Sequence, residues 1–225
     1  MRKEQKANYP ESARGAAALL VRMVLENGAY TNIALNQYLR GSRLSDLDRR
    51  LATELVYGTV KAGGTLDWYL AQCVSRPLDK VAGDILAILR ISTYQLLYMT
   101  RIPASAAVNE AVKLARSVSH EGSAKFVNGV LRGLLRKQEA GAFVLPDAEK
   151  QDADYLSLKY YHPRWLVKRW LGPWGRGGTE RLLAFDNTAA PGCLRVNTLV
   201  TTRDKLLADL TGMGAQVRAS AWSPY

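Results

Sequence analysis

The clearest chemical pattern in this chain is a row of polar residues between positions 123 and 137. On a helix of about 3.6 residues per turn, four of them fall along one ridge: Lys125, Asn128, Arg132 and Arg136. Guanidinium and ammonium groups bind phosphate oxygens strongly, and an amide can add a neutral hydrogen bond. The spacing therefore indicates a surface that holds a nucleic-acid backbone. The alternative is an amphipathic helix whose basic face is only solvated, with Asn128 bonded to local backbone.

The opposite side of the same helix is apolar, which predicts that it packs inward. This side carries Phe126, Val127, Val130, Leu131, Leu134 and Leu135. Ser123 is the predicted N-cap. Gly129 and Gly133 lie beside the ridge and weaken the helix by about 1 kcal/mol each relative to alanine. A helix with this penalty indicates a surface where another backbone comes close.

Catalytic motifs are missing from the sequence. It has no phosphate-binding loop, no nucleophile elbow, no HExxH zinc motif and no GxGxxG after a strand. Asp46, Asp48, Asp152 and Asp154 stand at predicted helix starts, where carboxylates complement the helix dipole. The glycine-containing stretch 189–192 precedes a predicted strand and is interpreted as a turn. We therefore predict no catalytic and no cofactor-binding residue in this chain.

Cysteine and histidine usage argues against a metal site. The chain has two cysteines, Cys73 and Cys193, and two histidines, His120 and His162. None has partners at ligand spacing, and two distant cysteines suit a reducing compartment. Cys73 is predicted to be a small core residue and Cys193 an inert strand residue.

Composition favours a polyanionic partner. The 225 residues include 31 Lys and Arg against 20 Asp and Glu, a formal charge of +11, with a mean hydropathy of −0.15. This excess favours nucleic acid over anionic lipid, because no predicted helix pairs an exposed apolar face with a lysine-rich one. No apolar run is long enough to span a membrane, and the first residues lack a secretory h-region. We predict a cytoplasmic location and no membrane partner.

Up to residue 140 the apolar periodicity is helical throughout. Ser12 is predicted to cap the first helix, and Ser45 with Asp48 resembles a capping box for a helix that turns Leu47 inward. Gly63-Gly64 predicts a break, after which Thr65 caps the next helix. The remaining helices are predicted over 31–39, from Pro77 in a first turn to about 99, and over 105–118.

Beyond a predicted linker at 141–150 the composition changes. Short helices are predicted over 154–161, over a tryptophan-rich stretch stopped by Gly172-Pro173, and after a Thr179 cap. Its tryptophans, Trp165, Trp170 and Trp174, could stack on bases, but their apolar neighbours favour core positions. Cys193–Asn197 and 215–218 are predicted strands flanking a helix capped at Thr201. The predicted fold is mainly α: an all-helical bundle followed by helices and an incomplete β-α-β (α+β) segment.

Several stretches together resemble the NusB-type RNA-binding domain, over about residues 12–137. The most specific are Val108-Asn109-Glu110-Ala111-Val112 and Phe126-Val127-Asn128-Gly129-Val130-Leu131-Arg132. His162-Pro163-Arg164-Trp165 and Leu194-Arg195-Val196-Asn197-Thr198 are similar to the pre-catalytic RNA-binding segment of the Sun/NOL family of RNA 5-methylcytosine methyltransferases. Members of that family place their catalytic cysteines in Pro-Cys and Thr-Cys motifs. Here Cys73 follows Gln72 and Cys193 follows Gly192, so no catalytic residue carries over.

The resemblance implies the RNA-binding N-terminal portion of a small-subunit ribosomal RNA cytosine-5 methyltransferase, inactive without its catalytic domain. It implies S-adenosylmethionine as the cofactor of the longer protein and ribosomal RNA as the partner, with a ribosomal or transcription-complex protein as a second partner. The alternatives are a stand-alone NusB-like antitermination factor and a helical domain that binds only proteins, which would show no salt-sensitive RNA binding. The expected RNA-binding residues are Arg14, Lys125, Asn128, Arg132, Arg136, Arg195 and Asn197.

The implied domain layout has four parts. Residues 1–11 form a flexible basic leader and 12–140 the NusB-like domain. Residues 141–150 form the linker, and 151–225 the pre-catalytic segment, which ends before the S-adenosylmethionine-binding domain.

Overall fold

The computed structural model describes residues 8–190 and 192–223. In this part of the chain the regular structure is helical, which confirms the prediction of a mainly α fold. The helices are α1 (Ala13–Asn27), α2 (Thr31–Gly41), α3 (Asp46–Ala71), α4 (Gly83–Tyr98), α5 (Ala104–Val118), α6 (Glu121–Glu139), α7 (Asp152–Tyr160), α8 (Arg164–Asp186) and α9 (Arg203–Gly212). By contacts the chain divides into two compact units, 1–185 and 186–225.

Helix α4 is the centre of the first unit. It contacts α1, α3, α5 and α6, and ten of its sixteen residues are buried. Most of these are aliphatic, from Ile85 to Ile91, so burial of apolar surface on every side holds the bundle together. Helix α6 packs against α5, α4 and α3, whereas α1 packs against α2, α3 and α4.

Helix α1 begins and ends as its sequence indicates. The Ser12 side chain accepts a hydrogen bond from the Gly15 amide (3.1 Å), and Gly28 closes the helix with a left-handed φ of 69°. Residues 1–7 of the predicted leader lie outside the described residues. Tyr9 packs against the core, and its hydroxyl donates to the Asp84 carboxylate, so the last part of the leader is tied down.

The predicted break at Gly63-Gly64 is wrong, because α3 runs without interruption through both glycines. Ala62, Gly63 and Leu66 are buried, so tertiary packing outweighs the helix penalty of two glycines. Thr65 is not a cap: its hydroxyl donates to the Leu158 carbonyl (3.0 Å) and ties α3 to α7. At the start of α3 the Ser45 cap is confirmed, but Leu47 is 77% exposed and not inward.

Two further helix starts differ from the prediction. Pro77 precedes a short 3-10 turn, Leu78–Lys80, and α4 begins only at Gly83 because Val81 and Ala82 are extended. Helix α6 begins two residues before the predicted cap. His120 is the N-cap, and its ring nitrogen accepts from the Ser123 amide (3.3 Å).

The tryptophan-rich helix does not stop at Gly172-Pro173. It runs on to Gly175, whose non-helical φ of 59° and ψ of −179° suit a residue without a side chain, and a second helical part follows to Asp186. Thr179 lies buried inside the second half and caps nothing. Trp170 packs on a small core of Leu156, Val167 and Leu183. The core prediction is wrong for Trp165 and Trp174, which are 65% and 52% exposed.

The predicted strands, Cys193–Asn197 and 215–218, are not confirmed: within the described residues neither segment forms a strand. Residues of both segments line one groove together with residues of α9. Two strands offer each other a single hydrogen-bonding edge, and such a pair is only marginally stable in water.

Pro191, in the predicted turn at 189–192, lies outside the described residues. In the predicted linker, Phe143 packs edge-on against Tyr69 (4.7 Å).

Candidate nucleic-acid interface

The polar ridge predicted on α6 exists on the surface of the bundle. Val127, Leu131 and Leu134 are fully buried on the inner side of the helix. Lys125, Arg132 and Arg136 are exposed on the outer side, and Asn128 is half-buried. We call these four residues, Lys125, Asn128, Arg132 and Arg136, the α6 ridge. The helix therefore holds three cations outward along one side.

Asn128 is committed to the ridge and not to the helix backbone. Its side-chain oxygen accepts a hydrogen bond from Arg132 Nε (3.0 Å), four residues further along. This bond holds one edge of the guanidinium and leaves its terminal nitrogens available. The amide oxygen thus orients a cation, and the expected contact of Asn128 with a nucleic acid stays a prediction.

The ridge keeps its positive charge. Among the described residues, Lys125 and Arg136 have no ion-pair or hydrogen-bond partner. One of the two acids on the helix, Glu121, is already paired with Arg116 (2.6 Å). The Arg116 hydrogen bond, with smaller contributions from the Arg116 and Lys125 charges, lowers the pKa of Glu121. The Glu121 carboxylate is therefore bound to Arg116 of α5 and forms no ion pair with a cation of the ridge.

Two cations that sequence spacing did not identify, Arg76 and Lys137, lie on the side of α6 beyond Gly129 and Gly133 from the ridge. The Arg76 guanidinium lies over the Phe126 ring, 4.8 Å from its centroid, and Lys137 donates to the Gln72 carbonyl. On the helical wheel, Phe126 and Lys137 are separated from the ridge by the two glycines at 129 and 133. Arg76 lies in the loop after α3, about fifty residues away, so only the packing of that loop brings it here.

Arg14 does not join the α6 ridge. It is half-buried on α1, and its Nε donates to Gln95 Oε1 (2.8 Å) on α4. Gln95 is buried and in turn donates to the Ile91 carbonyl (3.1 Å). Arg14 also adds the smallest of the effects that lower the pKa of Glu110 on α5, after the Lys113 hydrogen bond. Its contacts are therefore with α4 and α5.

Arg195 and Asn197 lie in the second unit, 186–225, and both are exposed. Asn197 closes a turn: its side-chain oxygen accepts from the Leu199 amide (3.1 Å), and its carbonyl accepts from the Val200 and Thr201 amides. The side-chain oxygen of Asn197 is thus occupied by a hydrogen bond within its own turn. Arg195 is presented to solvent beside the buried Val196.

The described residues contain no group of three or more His, Cys, Asp and Glu side chains that could hold a metal ion. Burial raises the pKa of the Cys73 thiol and so opposes thiolate formation. The positive charge of Lys137 partly offsets this effect. Cys193 is exposed on the segment that we predicted as a strand. No helix in 8–190 or 192–223 combines the length and apolar content needed to cross a bilayer.

A comparison with family models identifies the helical bundle. The model of the NusB family matches residues 11–136, more than half of the chain. The chain belongs to the NusB family. The match covers α1 to α6 of this NusB-family chain almost completely, including the whole α6 ridge. A second model, described as the ferredoxin-like domain of RsmF/B-like methyltransferases, matches residues 162–225.

Curated relatives of this NusB-family chain are similar over nearly all of it. A probable ribosomal RNA small subunit methyltransferase B of Synechocystis is 38% identical over 213 residues, covering 95% of this chain and 47% of the relative. A protein of the same name from Bacillus subtilis is 34% identical, covering 92% of this chain and 45% of the relative. The chain therefore spans about half the length of the curated relatives it matches.

Solved structures share the fold. The structure of PH0851 superposes on 98% of this chain with a TM-score of 0.65 at 20% identity, and the match covers 48% of PH0851. A structure of the antitermination factors NusB and NusE in complex with dsRNA matches 56% of this chain, and 95% of the matched chain, with a TM-score of 0.52 at 20% identity. At these identities the likeness concerns the fold of the NusB-family bundle.

Proposed function

We propose that this chain is the RNA-recognising part of a small-subunit ribosomal RNA cytosine-5 methyltransferase of the cytoplasm. One observation carries the proposal: an unneutralised cation ridge lies on a NusB-family bundle that leads into a segment matching RsmF/B-like methyltransferases. In this role the chain holds ribosomal RNA while a catalytic domain, which the longer relatives have room for, performs the methylation.

The α6 ridge would bind the RNA backbone and not read its bases. Lys125, Arg132 and Arg136 neutralise phosphates, which supplies affinity that depends on salt but not on sequence. The bond from Arg132 to Asn128 fixes the orientation of one guanidinium before RNA arrives. Arg195 is a further candidate contact from the second unit. Arg14 and Asn197 are weaker candidates because both are bonded within the chain.

The proposed reaction uses S-adenosylmethionine, but the described residues do not suit that cofactor. Nucleotide cofactors bind where a glycine-rich loop joins a strand to a helix N-terminus. The glycine-containing stretch 189–192 is followed by an extended segment without a ladder. We therefore assign the cofactor to the catalytic domain of the longer protein and derive no chemical step from this chain.

The test is the salt dependence of ribosomal RNA binding by the full 225-residue chain. Replacing Lys125, Arg132 and Arg136 together by alanine should weaken binding and reduce the slope of log K against log salt by up to about 2–3 units. The matched control replaces Lys80, Arg101 and Lys150, three exposed cations outside α6 in the first unit, and removes the same charge. Equal losses in both variants would mean that net charge alone drives binding and that the ridge is not the interface.

The alternative is a stand-alone antitermination factor that binds RNA together with a protein partner. The match of residues 162–225 to a methyltransferase-associated domain counts against it. The two functions predict different coding sequence downstream of residue 225, which sequencing the gene would reveal. A Pro-Cys motif and a glycine-rich cofactor loop there would support the methyltransferase.

A further inference from the structure

We propose a second RNA-binding surface on α8, where Trp165 stacks on an unpaired base while Lys168 and Arg169 bind the adjacent phosphates. We call these three residues, Trp165, Lys168 and Arg169, the α8 platform. The ligand class is single-stranded RNA. The inference rests on the RNA-binding role proposed above, but it uses a different helix from the α6 ridge and can fail separately.

Trp165 differs from its neighbouring tryptophans in having no partner. Trp170 packs on the apolar core under α8, and its ring lies 6.1 Å from those of both His162 and Trp174. Trp165 is 65% exposed, and no ring contact to it occurs among the described residues. A large aromatic side chain without a packing role leaves a free π-face on the surface.

The charges beside Trp165 are also without partners. Arg164 is paired with Asp154, and Arg176 is paired with Asp152 (2.9 Å). Lys168 and Arg169 are exposed, and neither has a hydrogen-bond or ion-pair partner in the described part of the chain. They follow Trp165 by three and four residues, so both flank its ring on the next turn of the helix.

The next turn of the same face is open. Gly172 follows Trp165 by seven residues, and a Cβ built there would meet no atom of the described residues within 4 Å. Trp165 itself is 65% exposed, so a planar base can reach its indole. Lys168 also borders a shallow groove with Asp152 and Asp154, but both carboxylates are already paired with arginines.

Charge complementarity selects nucleic acid as the occupant. A protein surface that covered Trp165 would need acidic groups to pair both cations, because burying them without a partner is unfavourable. An RNA strand supplies a π-face for the indole and phosphates for the cations together. The strand must be unpaired, because duplex bases are already stacked and present only the groove edges.

The experiment measures binding of the full chain to a fluorescein-labelled unpaired oligoribonucleotide and to the duplex of the same sequence. Trp165→Ala should weaken single-strand binding by about fivefold to a hundredfold and leave duplex binding unchanged. Trp165→Phe, which keeps an aromatic face, should retain most of the affinity. Lys168→Ala with Arg169→Ala should reduce the single-strand salt slope by up to about 1.4 units.

Trp222→Ala is the matched control, because Trp222 is 98% exposed but lies in the second unit, and it should bind like the wild type. Circular dichroism melting verifies that each variant is folded. If Trp165→Ala unfolds, the binding of Trp165→Phe and of the Lys168→Ala, Arg169→Ala double variant tests the proposal. Wild-type single-strand affinity in the Trp165 and cation variants would overturn the proposal and favour a protein covering this face. A different result is that the triple alanine variant of the α6 ridge loses RNA affinity while the variants of the α8 platform keep theirs. That result would leave the proposed function standing and would reject only the platform.

Discussion

At the scale of single residues, the bond between Asn128 and Arg132 allows a test of the RNA contact proposed for the α6 ridge. An arginine that is already oriented loses less side-chain entropy when it binds a phosphate. Asn128→Ala removes this bond without changing the charge. We expect RNA affinity to fall by about 0.5–1.5 kcal/mol, while the salt slope stays at its wild-type value.

Asn128→Asp provides the opposing measurement. The carboxylate still accepts from Arg132, but it neutralises one cation, so the salt slope should fall by about one unit. Binding isotherms at several salt concentrations separate the two variants. A reduced slope in Asn128→Ala would contradict an orienting role for the amide.

A second residue-scale prediction concerns the ion pair between Arg90 and Asp67. Arg90 is only 9% exposed, and its Nε and one terminal nitrogen donate to the two Asp67 oxygens at 2.7 and 2.8 Å. Asp67→Ala would leave a buried guanidinium unpaired and should lower the free energy of unfolding by about 3 kcal/mol in urea denaturation. The control, Asp79→Ala, removes an exposed acid 3.8 Å from Lys80 and should change stability by less than about 0.5 kcal/mol.

At the scale of elements, glycines within two helices have opposite requirements. A Cβ at Gly129 on α6 meets nothing within 4 Å among the described residues, so Gly129→Ala should raise stability by about 1 kcal/mol. A Cβ at Gly58 on α3 would overlap the Tyr94 ring, so Gly58→Ala should be destabilising although alanine favours helices. Thermal melting compares the two. A stability loss in Gly129→Ala would show that the face of α6 at Gly129 is covered in the folded protein.

The elements also show how far the sequence predicts this structure. The inner and outer faces of α6 follow from periodicity, because the helix packs on one side only. The break at Gly63-Gly64 failed because a glycine pair is judged by local propensity, whereas the packing of α3 against α1 and α4 decides. The two predicted strands are not confirmed, because alternation reports a preference for extended structure but cannot supply a pairing partner.

At the scale of the whole molecule, the candidate site was predictable only where it lies on one helix. The ridge cations share α6, so their spacing placed them together. Arg76 reaches α6 through the loop after α3, and Arg14 bonds to α4 over 81 residues of sequence separation. Trp165 escaped prediction for another reason: its apolar neighbours do line a core, but Trp165 itself is left outside that core on α8.

The same scale shows how the family-matched bundle is joined to the next segment of the chain. Tyr98 on α4 lies 5.5 Å from Tyr94, ring to ring, and 5.3 Å from Tyr161, which comes directly after α7. Burial, and then the hydrogen bond between Tyr98 and Tyr161, raise the pKa of Tyr98 far above its ordinary value. Burial and a hydrogen bond to Glu54 raise the pKa of Tyr94 as well.

These raised pKa values predict a loss of stability at alkaline pH. Above about pH 10 the tyrosines of the unfolded chain release their protons while Tyr98 and Tyr94 keep theirs in the fold, so the unfolded state binds fewer protons and stability falls as pH rises. Urea denaturation between about pH 9 and 11 should show this fall, and Tyr98→Phe should make it shallower because one of these phenols is gone. Tyr30→Phe, at an exposed position outside the cluster, should keep the wild-type dependence. If Tyr98→Phe also kept the wild-type pH dependence, the phenol proton that Tyr98 retains in the fold would not contribute to the stability at alkaline pH.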